Sequence, residues 1–274
     1  MKMKDMDSGL LKDDSNQDAN ILEVQHIRPW ANTICKFKLP DSIFGELKKL
    51  YEYTMNNKKS FGKQLVGQID DEPEVTQEIL DKFPEWHSFC NHTVSQYIKS
   101  CMADIHIAEP EKLNKLLSEK LLTRITTMWF VNQKPGEYNP VHIHTNCKVS
   151  SVVYLETPKQ QVKDRKEHYQ SDGKITFMNN TGTDMNFSNS QCSFEPKPGD
   201  MYVFGSLQHH MVWPYRSADP NDKRVSLSFN AEFTTEKTIQ MENKNQEMMY
   251  ESMKKMKESE NDKSTDVSDI NKSG

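Results

Sequence analysis

The hydrophobic period of this chain changes at Thr123, and that change restricts its fold more than any other feature. Upstream, from Asp41 to about Leu122, apolar residues recur every three to four positions. In "SIFGELKKLYEYTMNN" this puts Ile43, Leu47, Leu50 and Tyr51 on one stripe, and "FPEWHSFCNHTVSQYIKSCM" and "EPEKLNKLLSEKLL" behave alike. Downstream the period is two, in eight short runs: "RITTMWFVNQ", "PVHIH", "KVSSVVYLE", "KITFMN", "CSFEP", "DMYVFGS", "HHMVWPY" and "RVSLSFNAEF". The breaks between them, among them "KPGEYN", "SDGK" and "KPGD", have Gly/Pro/Asn/Asp turn chemistry and are too short for crossover helices. A parallel sheet is therefore not expected. The pattern predicts an α+β protein with a double-sheet jelly-roll core and an N-terminal helical buttress.

The ends read differently. Residues 1–20 and 236–274 are dense in Lys, Asp, Asn and Ser and have little apolar periodicity, so both are expected as charged, disordered tails. An amphipathic helix with Met241, Met248 and Met249 on its surface is the other reading of the second. Between them lie a helical support region, 21–122, and a β core, 123–235. The polar stretch 157–173 interrupts the strands as a lid or a solvated loop.

Charge and cysteine usage exclude several function classes. The net charge is −5 with the two signs interleaved, so no basic patch suggests nucleic acid as a partner. No apolar run is long enough to span a membrane. Five scattered cysteines without C-x-x-C spacing fit reduced thiols in a cytoplasm, the host's if the chain is viral. Nothing in the sequence fixes an oligomeric state.

The chemistry concentrates in histidine. In "PVHIH", His142 and His144 flank Ile143, so on a strand both imidazoles face one side. In "QHHMVWPY" one of His209 and His210 must point inward, and a jelly roll can bring His210 beside the first pair. Three imidazoles on one face suit a transition metal and leave coordination positions open. In "RVSLSFN", Arg224, Ser226, Ser228 and Asn230 share the polar face of another strand. An arginine fork with a hydroxyl beside it suits a carboxylate. A bland reading accompanies each: satisfied histidines, and an edge strand facing water.

These pieces resemble the iron(II)/2-oxoglutarate-dependent oxygenases, in particular their prolyl-4-hydroxylase-like branch in phage and bacterial genomes. The likeness runs from about Trp129 to Phe233 through "WFVNQKPGEYNPVHIH", "SSVVYL", "PGDMYVFGSLQHHMVWPY" and "RVSLSFN". It implies a double-stranded β-helix with His142, His144 and His210 as Fe(II) ligands. Arg224 and Ser226 would hold the far carboxylate of 2-oxoglutarate, with Tyr154 and Asn132 as further co-substrate contacts. Cofactors would be Fe(II), 2-oxoglutarate and O₂, with ascorbate as an accessory. The implied reaction couples decarboxylation of 2-oxoglutarate to hydroxylation of a peptide or small molecule, a prolyl residue among the candidates. Substrate would enter near Trp129, Trp213, Tyr215 and the 157–173 stretch.

The family's usual His-x-Asp or His-x-Glu is here His-x-His, so His144 is either a third ligand or a neighbour that supports the other two. Two other functions fit the same residues. A cupin-type metalloenzyme would not use 2-oxoglutarate and would not need Arg224; a non-catalytic jelly-roll module would need no metal at all.

Overall fold

The computed structural model describes residues 33–106, 109–159, 171–179 and 190–270. The tail expected over 1–20 lies outside them, as does 160–170 of the polar stretch. Within them the chain is a mixed helix and antiparallel-sheet protein whose two sheets are consistent with a jelly-roll core. The eight strands read from the sequence form as β2 (Leu121–Gln133), β3 (Asn139–His142), β4 (Val149–Glu156), β5 (Ile175–Met178), β6 (Gln191–Phe194), β7 (Asp200–Gly205), β8 (His210–Val212) and β9 (Arg224–Thr235). One further strand, β1 (Ile34–Lys38), lies in the segment expected to be helical support. Its five residues alternate too briefly to stand out, and they pair with the open edge of β7.

The larger sheet has the order β1-β7-β4-β9-β2 and the smaller β3-β8-β5-β6. Residues 71–75 extend the larger sheet past β2: the amides of Asn132 and Phe130 donate to the carbonyls of Asp71 and Pro73, both at 2.9 Å. That covers an edge that would otherwise expose unpaired backbone.

Period two gives the larger sheet two buried faces. One carries Phe130, Val153, Val203, Leu227 and Phe229, which share a single apolar cluster with residues of two helices. These helices are α1 (Asp41–Asn56) and α3 (Pro84–Ile105), joined through the short α2 (Gln77–Leu80). In α1 the spacing Leu47, Leu50, Thr54 forms the buried stripe; in α3 it is Trp86, Cys90, Val94, Ile98. Proline at the first turn of α3 suits its start, where no amide partner is needed. Burying a side chain such as Leu47 contributes about 1.5–3 kcal/mol. The other face carries Val152, Tyr154, Tyr202 and Phe204, packed against Ile175, Phe177 and Val212 of the smaller sheet.

A short α4 (Pro110–Ser118) precedes β2. The C-terminal segment, expected chiefly as a disordered tail, is one continuous helix, α5 (Glu236–Ile270). It runs on directly from β9, and Met241, Met248, Met249 and Met253 are exposed on it. No helix among the described residues is long and apolar enough to cross a membrane.

Candidate metal and co-substrate site

A cavity of about 450 Å³ opens between the two sheets, and His142, His144, His210, Tyr154, Arg224 and Ser226 all line it. β3 and β8 are antiparallel neighbours, and their register sets His142 directly opposite His210. The two rings have centroids 4.2 Å apart. β3 ends at His142, so His144 reaches the same spot from beyond the strand rather than from its face. Its amide donates to the Ser206 carbonyl at 2.8 Å, which holds the chain against the turn after β7. His144 Nε2 then lies 3.4 Å from His210 Nε2, with the two rings 6° from parallel. One ligand atom from each of the three histidines lies within 4.8 Å of the others. His209, by contrast, is exposed.

Backbone carbonyls orient two of these rings. His142 Nδ1 pairs with the Pro140 carbonyl at 2.7 Å and His210 Nδ1 with the Gln208 carbonyl at 2.9 Å. A carbonyl can only accept, so Nδ1 carries the proton and Nε2 presents its lone pair to the cavity. Burial lowers the pKa of all three imidazoles, that of His144 to about 4, and it lowers His210 well below the ordinary value. Each is therefore neutral near pH 7, as a ligand must be. Three neutral nitrogens aimed at one point, with room beside them, fit a divalent transition ion such as Fe(II).

Arg224 supplies the opposite charge environment. It is 2% exposed, and among the described residues it forms no ion pair. Its guanidinium donates to the Gly173 carbonyl at 2.6 Å and to Gln133 Oε1, both neutral acceptors. Burial lowers its pKa. Beside it, Tyr154 lies with its ring centroid 5.9 Å from the guanidinium carbon, and its buried hydroxyl has no hydrogen-bond partner among the described residues. Ser226 faces Tyr154 across the β4–β9 register. An uncompensated buried cation and an orphaned hydroxyl in one cavity are costly unless an anion joins them. A carboxylate of 2-oxoglutarate meets both needs.

Asn132 does not belong to this site. It points to the helical side of β2, where its Oδ1 accepts from the Tyr51 hydroxyl at 2.8 Å. On a strand the next residue faces the other way, so Gln133 lines the cavity and holds Arg224. Of the three aromatics at the expected entrance, only Trp129 lines the cavity. Trp213 donates from Nε1 to Thr176 Oγ1, and Tyr215 is buried with its hydroxyl donating to backbone carbonyls. Glu72, unremarkable in the sequence, lines the cavity as well. Its neighbours Asp70 and Asp71 masked it as part of a solvated acidic run.

This fold and this site fit the 2-oxoglutarate- and Fe(II)-dependent oxygenases. Residues 127–230 match the family model described as "Putative 2OG-Fe(II) oxygenase", a family of oxidoreductases. The metal and co-substrates of the class are Fe(II), 2-oxoglutarate and O₂. No curated protein matches the chain in sequence. Among solved structures it is similar to a Pseudomonas putida prolyl-4-hydroxylase, at 16% identity over 73% of this chain and 92% of that one, TM-score 0.39. A Trichoplax adhaerens prolyl hydroxylase, solved with a hypoxia inducible factor peptide fragment, aligns at 14% identity over 73% and 83%, TM-score 0.41. A 2OG-Fe(II) oxygenase family oxidoreductase from Burkholderia pseudomallei aligns at 15% identity over 40% of this chain, TM-score 0.30, and the chain spans 43% of its length.

Proposed function

We propose that the protein is an oxygenase that hydroxylates a C–H bond of a substrate entering beside Trp129, with His142, His144 and His210 as the three metal ligands. The observation that carries this is the meeting, in one cavity, of three neutral imidazoles with the unpaired Arg224 cation and the orphaned Tyr154 hydroxyl. When bound, Fe(II) with 2-oxoglutarate and O₂ supplies oxidative decarboxylation coupled to hydroxylation.

The chain's own residues have five tasks. His142 and His210 hold their Nε2 lone pairs in place through Nδ1 bonds to backbone carbonyls. Arg224, with Tyr154 and Ser226, clamps the co-substrate carboxylate and so fixes its register against the imidazoles. Gln133 keeps the guanidinium aligned before the anion arrives. The apolar wall of Ile175, Phe204 and Val212 excludes water. Helices α1 and α3 support the larger sheet from its far face. A prolyl residue in a peptide is the substrate we favour, on the sequence resemblance alone, in a cytoplasmic setting.

Anaerobic addition of Fe(II) and then 2-oxoglutarate tests this reading. A weak visible metal-to-ligand charge-transfer band should appear only when both are present. Metal binding without a band would favour a cupin-type enzyme. Failure to bind metal would make the histidines structural.

A further inference from the structure

Glu72 is 2% exposed, and its Oε2 has no hydrogen-bond partner among the described residues. It lines the same cavity as the histidines. The backbone around it is fixed: its carbonyl accepts from the Phe61 amide at 2.8 Å, while Asp71 and Pro73 on either side are bonded to β2. The loop before it closes tightly over the carboxyl. A Cβ on Gly62 would come within 3.3 Å of Oε2, and one on Gly67 within 3.2 Å of Oε1 and 2.3 Å of Asn139 Oδ1. Two glycines thus let the loop fold around this group.

A buried carboxyl without a partner is costly, and its neighbours make it more so. Burial, then Glu137 and Asp71, raise its pKa to about 7. Arg224 does not compensate it. The two residues belong to the two neighbours of β2, so their backbones are two strand spacings apart, about 10 Å. Phe61, whose amide pairs with the Glu72 carbonyl, and Trp129 line the same cavity with ring centroids 5.4 Å apart. Aromatic rings and a buried carboxylate lining one cavity suit an organic cation.

We propose that Glu72 is a specificity residue, and that it receives a positively charged nitrogen, an ammonium or guanidinium, carried by the substrate. Calling the ligand a substrate rests on the oxygenase reading; the cation site itself does not. The cavity then holds two complementary subsites, an anion site at Arg224 for the co-substrate and a cation site at Glu72. A peptide with a lysine or arginine near the hydroxylated residue satisfies both the site and the reaction.

The test is calorimetric titration of the full chain, loaded anaerobically with Fe(II) and 2-oxoglutarate. The probes are Nα-acetyl-arginine amide, Nα-acetyl-lysine amide and the neutral Nα-acetyl-norleucine amide. At least one cationic probe should bind about tenfold or more tighter than the neutral one. That preference should vanish in Glu72→Gln and in Glu72→Leu, while both variants keep the charge-transfer band that reports an intact site. Equal binding of all three probes by the parent protein overturns the proposal, as does a preference that survives both substitutions. A cation preference with no band in any protein would uphold the Glu72 site and sink the oxygenase reading instead.

Discussion

His142 and His210 face each other across the β3–β8 pair with ring centroids 4.2 Å apart, and each has its Nδ1 tied to a backbone carbonyl two residues before it. Main-chain carbonyls thus fix the ring tautomers of the pair, and Phe204 packs edge-on against His210 with centroids 4.7 Å apart. His144 joins from outside the strand, and the question it raises is separable. His142→Ala and His210→Ala should each weaken Fe(II) binding by at least about tenfold. His144→Ala should do the same if three histidines ligate the metal. Fe(II) titration of the variant at parental affinity would instead make His144 a supporting neighbour.

Arg224→Ala removes the buried cation and also strands Gln133 Oε1 and the Gly173 carbonyl. Each orphaned acceptor costs about 1–3 kcal/mol, so the variant should be less stable as well as weaker for 2-oxoglutarate. Loss of one charge-assisted contact predicts about a 10- to 100-fold rise in the 2-oxoglutarate concentration that half-saturates the visible band. Unchanged saturation would remove Arg224 from the co-substrate site.

Adjacent residues on β2 should respond in opposite ways. Asn132→Ala loses the Tyr51 hydrogen bond on the helical side and should cost about 1 kcal/mol of stability, with 2-oxoglutarate affinity intact. Gln133→Ala frees the Arg224 guanidinium and should weaken 2-oxoglutarate instead. Denaturant unfolding and co-substrate titration on the two variants read both effects. Parity between them would mean the strand's two faces are not distinct in function.

The buried Glu72 carboxyl also makes stability depend on pH. Its pKa is raised from 4.5 to about 7, so the folded state holds the proton that the unfolded chain releases. The folded state is therefore favoured at this group below pH 4.5, and that advantage is lost as pH rises through 7. Glu72→Gln has no such loss. Relative to the parent, it should gain up to about 3 kcal/mol between pH 4.5 and pH 7.5. A stability difference flat across that window would show that the carboxyl is paired or solvated.

Much of this was legible in the residues. Strict alternation in "RVSLSFN" separates Arg224, Ser226 and Ser228, which line the cavity, from Val225, Leu227 and Phe229 in the core. The spacing of Leu47 and Leu50 likewise marks the face that α1 buries. Period is a local property of the chain, and burial on one face imposes it. β1 escaped because five residues alternate too briefly to outweigh a helical context, and their partner, β7, lies far along the chain.

What the sequence determined by itself was the menu: strands from Thr123 onward, histidines able to bind metal, and an arginine on a polar face. Tertiary structure decided how these meet. Strand pairing chose Gln133 over Asn132, because a shift of one residue exchanges the two faces of a strand and only register sets which face looks inward. Chain closure in space brought His144 to the other two histidines from beyond its strand. Burial turned Glu72 from one acid in a charged run into an unpaired carboxyl, because desolvation is a property of the folded surroundings and not of the residue.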